Sequence, residues 1–407
     1  MKPSLSPAVC LAILTTLSLI LPSCSGSSSA KVEREKLFTL SYGRFEDEID
    51  LFRLDSSSMG PDTQIFMRDG VFYISNSGSK KIIQLTSFGD LLSVFYNPEE
   101  NPAPSFAAPG ESAGSTTRKA VAYPFNHPVF LTVDSLKRLF VADPVPPERY
   151  EFDNDEQVIL RDVVLRFDED GRFIDYLGQE GPGGTPFPPI TGVFSNSANE
   201  IIVTAKSQVG IRVYWFDPDG NLLYRIPVRY RNLPSPYDAE TAVFSSLEKV
   251  LPDPSSRRIY LKIDYYGEII DESTSSNAGI AFNRSCVYPF DIEGEKYLER
   301  IDLSSYEGVD KDRQGTLTFK KPYELLGITG NGWLFLATPV PEGYALELMD
   351  SRSRRIQKRI LPIQDEELAY SALMLSSDGI LSAMLASQFN ASIVWWRTDT
   401  LIGEIRR

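Results

Sequence analysis

Apolar residues in this chain fall mostly in short runs separated by turns rich in Gly, Asp, Asn and Ser. Gln64-Ile65-Phe66-Met67 is followed by Arg68-Asp69-Gly70, then by Val71–Ile74, the turn Ser75–Gly78, Lys81–Leu85, the turn Phe88–Asp90 and Leu91–Phe95. Short alternating or β-branched runs are strand patterns, and Asp-Gly between two of them is a hairpin signal. The order then recurs. A second copy runs from Val129 to Leu177 across the turn Asp168–Gly171, and a third from Ile190 to Ile226 across Asp217–Asn221. A fourth, longer copy covers Ala242–Leu303, a fifth Glu324–Ile363 and a sixth Ala369–Arg406.

Six copies of a roughly four-stranded unit predict an all-β, six-bladed β-propeller over residues 36–407, because each unit can bury its faces only against neighbours around an axis. A β-sandwich or two smaller all-β domains is the competing arrangement, and the repetition favours the ring. A ring must also close. Phe38–Tyr42 precedes the first full copy and is expected to pair with the last one near Leu401–Ile405, removing an open edge, while Phe45–Phe52 leads inward. Three insertions interrupt the pattern. Residues 97–126, rich in Pro, Ala, Gly and Ser, read as a mobile loop with little that packs; Pro144–Glu156 is acidic, and Ser304–Gly315 is polar. Loops on one propeller face are the expected place for binding.

The second copy carries a family resemblance. His127-Pro128-Val129-Phe130-Leu131-Thr132-Val133-Asp134-Ser135, then Arg138-Leu139-Phe140-Val141-Ala142-Asp143, then Val164–Phe173, is similar to the NHL repeat. Lys137 stands where that repeat has glycine, and Gly181–Pro189 resembles its glycine-rich connector. The resemblance covers about half the chain and fades in the last three copies. It implies a propeller and carries no activity with it.

The N-terminus adds a location. Lys2 is followed by an uncharged apolar run from Ala8 to Leu21, too short to span a bilayer and of the right length for a signal peptide. Leu21-Pro22-Ser23-Cys24 resembles a bacterial lipobox, of the looser form seen in spirochaetes. That resemblance implies removal of residues 1–23 and acylation of Cys24, with residues 24–35 as a flexible tether to a bacterial membrane on its periplasmic or surface side. A plain secreted protein or an uncleaved N-terminal helix is the other possibility. The whole then looks like an NHL-like propeller lipoprotein of spirochaete type.

Composition narrows the chemistry. A formal charge of −14 without a basic, aromatic-interleaved tract argues against nucleic-acid binding. Once Cys10 is removed and Cys24 acylated, Cys286 is the last of the three cysteines; beside Val287 and Tyr288 it reads as a small core residue. His127 is the single histidine, which rules out multi-histidine metal sites and reads as a hydrogen-bonded turn residue. The string Gly110-Glu111-Ser112-Ala113-Gly114 lies in the Pro/Ala-rich insertion, without the strand and helix that a serine nucleophile needs. Asp168 with Asp170, and Asp217 with Asp219, lack calcium-loop spacing and read as turn formers. Asp153, Asp155 and Glu156 read as a solvated charge run. The basic Arg352–Arg359 stretch and Arg406-Arg407 read as charge on exposed outer strands or as a contact for anionic head groups. Tyr230, Tyr237, Tyr265 and Tyr266 are candidates for an exposed contact platform.

No catalytic, metal or cofactor residue is therefore assigned. The expected function is a membrane-anchored, non-enzymatic binding or scaffold module for an envelope protein or glycan. The alternative is a metal-dependent propeller hydrolase or lactonase, which requires several carboxylates converging at one axial mouth.

Overall fold

Six sheets follow one another along the chain, each built from strands that run inward to outward in order. They are seen in a computed structural model that describes residues 30–51, 62–107, 118–237, 243–270, 276–312, 315–363 and 368–404. Blade 1 comprises Thr63–Arg68, Val71–Asn76, Lys81–Thr86 and Leu91–Tyr96, with Lys119–Ala122 added in parallel outside. Blade 2 has Leu131–Val133, Leu139–Pro144, Asp162–Phe167 and Phe173–Gly178; blade 3 has Ile190–Ser195, Ile201–Lys206, Gly210–Phe216 and Leu222–Arg229. Blade 4 has Val243–Pro252, Arg258–Ile270 and Asn277–Asp291, with Lys296–Tyr297 and Ile301–Leu303 as short outer pieces. Blade 5 has Glu324–Ile328, Trp333–Val340, Gly343–Asp350 and Ile356–Pro362. Tyr370–Leu375, Leu381–Ala386 and Asn390–Trp396 make the inner three strands of blade 6.

The outer strand of blade 6 is Glu35–Ser41 from the other end of the chain, antiparallel to Asn390–Trp396, with Ser41 opposite Asn390. The ring is thus closed by the N-terminal strand, as expected, but at a different partner. Leu401 lies in a short helix, Thr398–Glu404, which turns Ile402 into the core and leaves no strand there to pair. The packed body also begins before residue 36: Lys31 bridges Ile360 and Val32 is buried.

Each blade is covered on both faces, so its middle strands are apolar at both parities. Val71–Asn76 buries five successive side chains. Six apolar clusters result, one in each seam between adjacent blades; that between blades 6 and 1 joins Phe38, Ile49 and Leu51 to Phe72 and Ile393. Local turns follow local chemistry. Asp69 and Gly70 have φ of 52° and 75°, the double left-handed geometry of a tight hairpin. Lys137 adopts φ 62°, so the turn before Arg138 is left-handed without a glycine.

Inner strands all start at the same end of the ring, here called the upper face, where the links between blades and the turns between second and third strands lie. All three insertions leave from it. Residues 151–153 and 158–160 pair as a hairpin, as do Tyr306–Asp312 and Gly315–Lys321. The ends of the 97–126 insertion are packed, contrary to expectation: Phe125 is fully buried, and Asn97 and Asn101 are buried too, with Asn97 Nδ2 donating to the Phe125 carbonyl at 2.9 Å. Its centre, 108–117, lies outside the described residues.

Candidate functional site

Lys262 and Asp264 stand two apart on the second strand of blade 4, so both point to the face that meets blade 5. Below them on that face, Tyr260 packs with Leu325 and Leu334 as an apolar floor. The Lys262 ammonium donates to Asp264 Oδ2 at 2.6 Å, with both side chains almost fully buried. Ser285, opposite Asp264 on the next strand, donates to its other oxygen. Burial pushes the Asp264 carboxyl above its ordinary range, against the pull of Lys262 and Ser285.

This pair forms part of the wall of a cavity of about 480 Å³ between blades 3, 4 and 5 at the upper mouth. Thr191 and Thr204 line the blade 3 side, Thr191 Oγ1 lying 3.0 Å from Thr204 Oγ1. Across the mouth Lys249 Nζ stands 3.7 Å from Glu324 Oε1. Tyr323 is buried beside them, and that burial, with the Glu347 charge adding, pushes its phenol up to about 12. Lys206 and Glu248 complete the charged lining. The size suits a small ligand, since such sites span about 300–1,000 Å³.

A second cavity of about 500 Å³ opens at the lower mouth of the axis. Its wall mixes polar and apolar surface, with Phe66, Phe130, Phe194 and Leu326 contributed by four different blades. Asp69 and Asp378 are the carboxylates on its rim, both exposed. Among the described residues no three His, Cys, Asp or Glu side chains come together as a metal ion requires.

The residues singled out in the sequence fall as follows. Cys24 and the Gly110–Gly114 string lie outside the described residues. His127 Nε2 is 2.8 Å from Asp62 Oδ2, and its backbone N–H donates to Asp143 Oδ1 at 2.6 Å, a turn role. Asp168 Oδ1 accepts the N–H groups of Asp170 and Arg172 at 2.9 and 2.8 Å; Asp217 Oδ1 accepts those of Asp219 and Asn221 at 3.0 and 2.8 Å. Both carboxylates are used by their own turns. Asp153 Oδ1 does the same for Asp155 and Glu156, while Glu156 pairs with Arg212 across to blade 3. Cys286 is fully buried, and burial first, then its contact with Asp302, pushes its thiol up to about 12. Lys358 and Arg359 sit on the outer strand of blade 5, Lys358 Nζ 3.5 Å from Glu347. Arg406-Arg407 lies outside the described residues.

The tyrosine platform is not formed as expected. Tyr265 is buried, its ring 5.8 Å from Tyr237 and its hydroxyl donating to the Pro234 carbonyl at 2.5 Å, while Tyr230, Tyr237 and Tyr266 are half-buried. The Lys262–Asp264 pair was missed. Its signal is two charges inside Ile259–Tyr265, a run otherwise apolar at both parities.

No family model matches the chain, and no curated protein matches it. Solved structures share its fold only distantly. The polysaccharide lyase Uly1 is 9% identical, with a TM-score of 0.42, over 90% of this chain and 99% of its own. A structure described as a putative gluconolactonase is 10% identical, TM-score 0.40, over 90% and 92%. The β-propeller domain of the Trilobed protease from Pyrococcus furiosus is 9% identical, TM-score 0.39, over 82% and 83%.

Proposed function

We propose that this protein is a lipid-anchored, non-enzymatic binding module of a bacterial cell envelope, taking its ligand at the upper mouth of the propeller. The observation that carries this is the cavity between blades 3, 4 and 5. It offers donors and acceptors held by a rigid ring, with its buried carboxylate already occupied by Lys262 and Ser285 rather than poised toward a reacting atom. Anchoring rests on Cys24 and the leader before it. The NHL-like pattern of the second blade supports the kinship to NHL-repeat lipoproteins and gives no reaction.

Two measurements test the proposal. Labelled palmitate is expected to enter the wild-type chain and not Cys24→Ser, which should also leave the membrane fraction; a variant that stays labelled and membrane-bound overturns the anchor. The Cys24→Ser chain, immobilised, is then exposed to delipidated envelope extract, either untreated, protease-treated or periodate-treated. Specific retention that is reduced by Lys249→Ala, with unchanged thermal stability, is the expected result. Retention of nothing from any extract overturns the binding role.

A further inference from the structure

Blade 4 departs from its five neighbours. Its second and third strands have 13 and 15 residues, where the corresponding strands elsewhere have six to eight. The excess projects from the upper face as an arm. Tyr265 to Ile270 pairs with Arg284 back to Asn277, and Val243–Ser246 flanks its base.

The two faces of this arm differ. Phe244 is directly opposite Tyr266, and Tyr266 is directly opposite Phe282, so the three side chains lie side by side across three strands on one face. The Tyr266 and Phe282 rings are 6.0 Å apart, and Phe244 is 52% exposed. Ile280, opposite Glu268 one step further out, is 59% exposed on the same face. The other face carries Gly267, Gly279, Ala281 and Ile269 beyond the buried Tyr265. Strand alternation places Tyr266 on the side of Lys262 and Asp264, about 7 Å beyond Asp264. The wet aromatic row is therefore the outward continuation of the cavity wall.

The cavity itself is charge-matched. Lys262 is paired with Asp264 and Lys249 with Glu324, leaving one cation, Lys206, and one carboxylate, Glu248, on its lining. Such a site attracts no net charge, yet it presents charged donors and acceptors beside the Thr191 and Thr204 hydroxyls. Ligand hydroxyl groups, each both donor and acceptor, meet that requirement. The apolar C–H faces of sugar rings meet the second requirement, an aromatic surface that is partly open to water.

We infer that cavity and arm together form one elongated site for a neutral, linear saccharide, its end unit in the cavity and its following units laid on Phe244, Tyr266 and Phe282. The inference rests on the upper mouth being the binding site and names the ligand class it takes. The test is calorimetric titration of the Cys24→Ser chain with neutral oligosaccharides of glucose and of N-acetylglucosamine, from dimer to hexamer. Uronate oligomers and apolar peptides serve as comparisons. Affinity for one neutral series is expected to rise about tenfold or more between dimer and tetramer, the worth of roughly one aromatic stacking contact. Phe244→Ala/Tyr266→Ala should abolish that rise with length, whereas Lys249→Ala should weaken every length alike and keep the rise. Selective binding of uronates or peptides overturns the ligand class. Length dependence that survives the double variant overturns the role of the arm. Should the immobilised chain retain envelope material that survives periodate and not protease, the binding role stands and the saccharide assignment falls.

Discussion

Arg257 of blade 4 donates to a single oxygen of Glu200 in blade 3, from Nε at 2.9 Å and from Nη2 at 2.5 Å. The other oxygen of Glu200 accepts Trp215 Nε1 at 2.8 Å and Asn196 Nδ2 at 2.7 Å, so a buried carboxylate is satisfied on both sides across a blade seam. Burial alone would push Glu200 up; the bonds from Arg257, Trp215 and Asn196 outweigh it and hold the carboxyl below its ordinary range. Arg257→Ala is expected to cost about 2 kcal/mol, less than a fully buried pair because the arginine is partly exposed. A carboxylate depressed in the folded state adds stability above its unfolded pKa, and that contribution is lost as pH falls through the lower folded value. The difference between wild type and Glu200→Gln in urea should therefore shrink on acidification below the ordinary glutamate value of 4.5. A constant difference across that range would remove the charge from the explanation.

Asp143 works in the opposite sense. It takes the N–H groups of Asn126 and His127, which lead into its own blade, yet burial pushes its carboxyl up to about 7. Asp162, on the neighbouring strand, is raised by burial as well. A group raised in the folded state contributes stability that is complete below the unfolded value, 3.8, and is lost as pH rises through about 7. Thermal unfolding of the wild type should show a decline across that window, flattened in Asp143→Asn. Asp143→Ala, which leaves two N–H groups unpaired, should cost about 2 kcal/mol at the acid end of that window and less as pH rises toward 7.

Ring closure offers the third prediction. Phe38 on the closing strand meets Phe72 of blade 1 edge-on at 5.8 Å, and Gly89 of the same blade packs so close that an added Cβ would lie 2.8 Å from Phe38 Cβ. Phe38→Ala should cost about 3–5 kcal/mol and lower the urea midpoint, whereas Thr39→Ala, on the exposed side of the same strand, should change stability by less than about 0.5 kcal/mol. Equal effects would show that the strand holds the ring through backbone bonds alone.

Much of this architecture was legible because it is local. Asp69-Gly70 makes its left-handed turn from its own chemistry, and Asp168 and Asp217 cap turns only two to four residues away. Such signals, repeated six times, gave the blade boundaries and the greater length of blade 4. The candidate site was scarcely legible. Its walls come from Thr191, Lys262 and Glu324, on three blades far apart in sequence. A charged pair within a strand does not announce whether it faces water or a neighbouring sheet.

What the sequence determined by itself was the number of blades, their order and the turns within them, since period-two alternation and turn chemistry act over a few residues. What only the tertiary structure decided was where each face meets its partner. Phe38 closes on Asn390–Trp396 because Thr398–Glu404 coils into a helix, Tyr265 is buried because the Pro234–Tyr237 link crosses it, and Phe125 packs because blades 1 and 2 enclose it. Alternation fixes that two side chains share a face. Which face is buried depends on sheets brought together by the ring, a long-range condition that no local pattern carries.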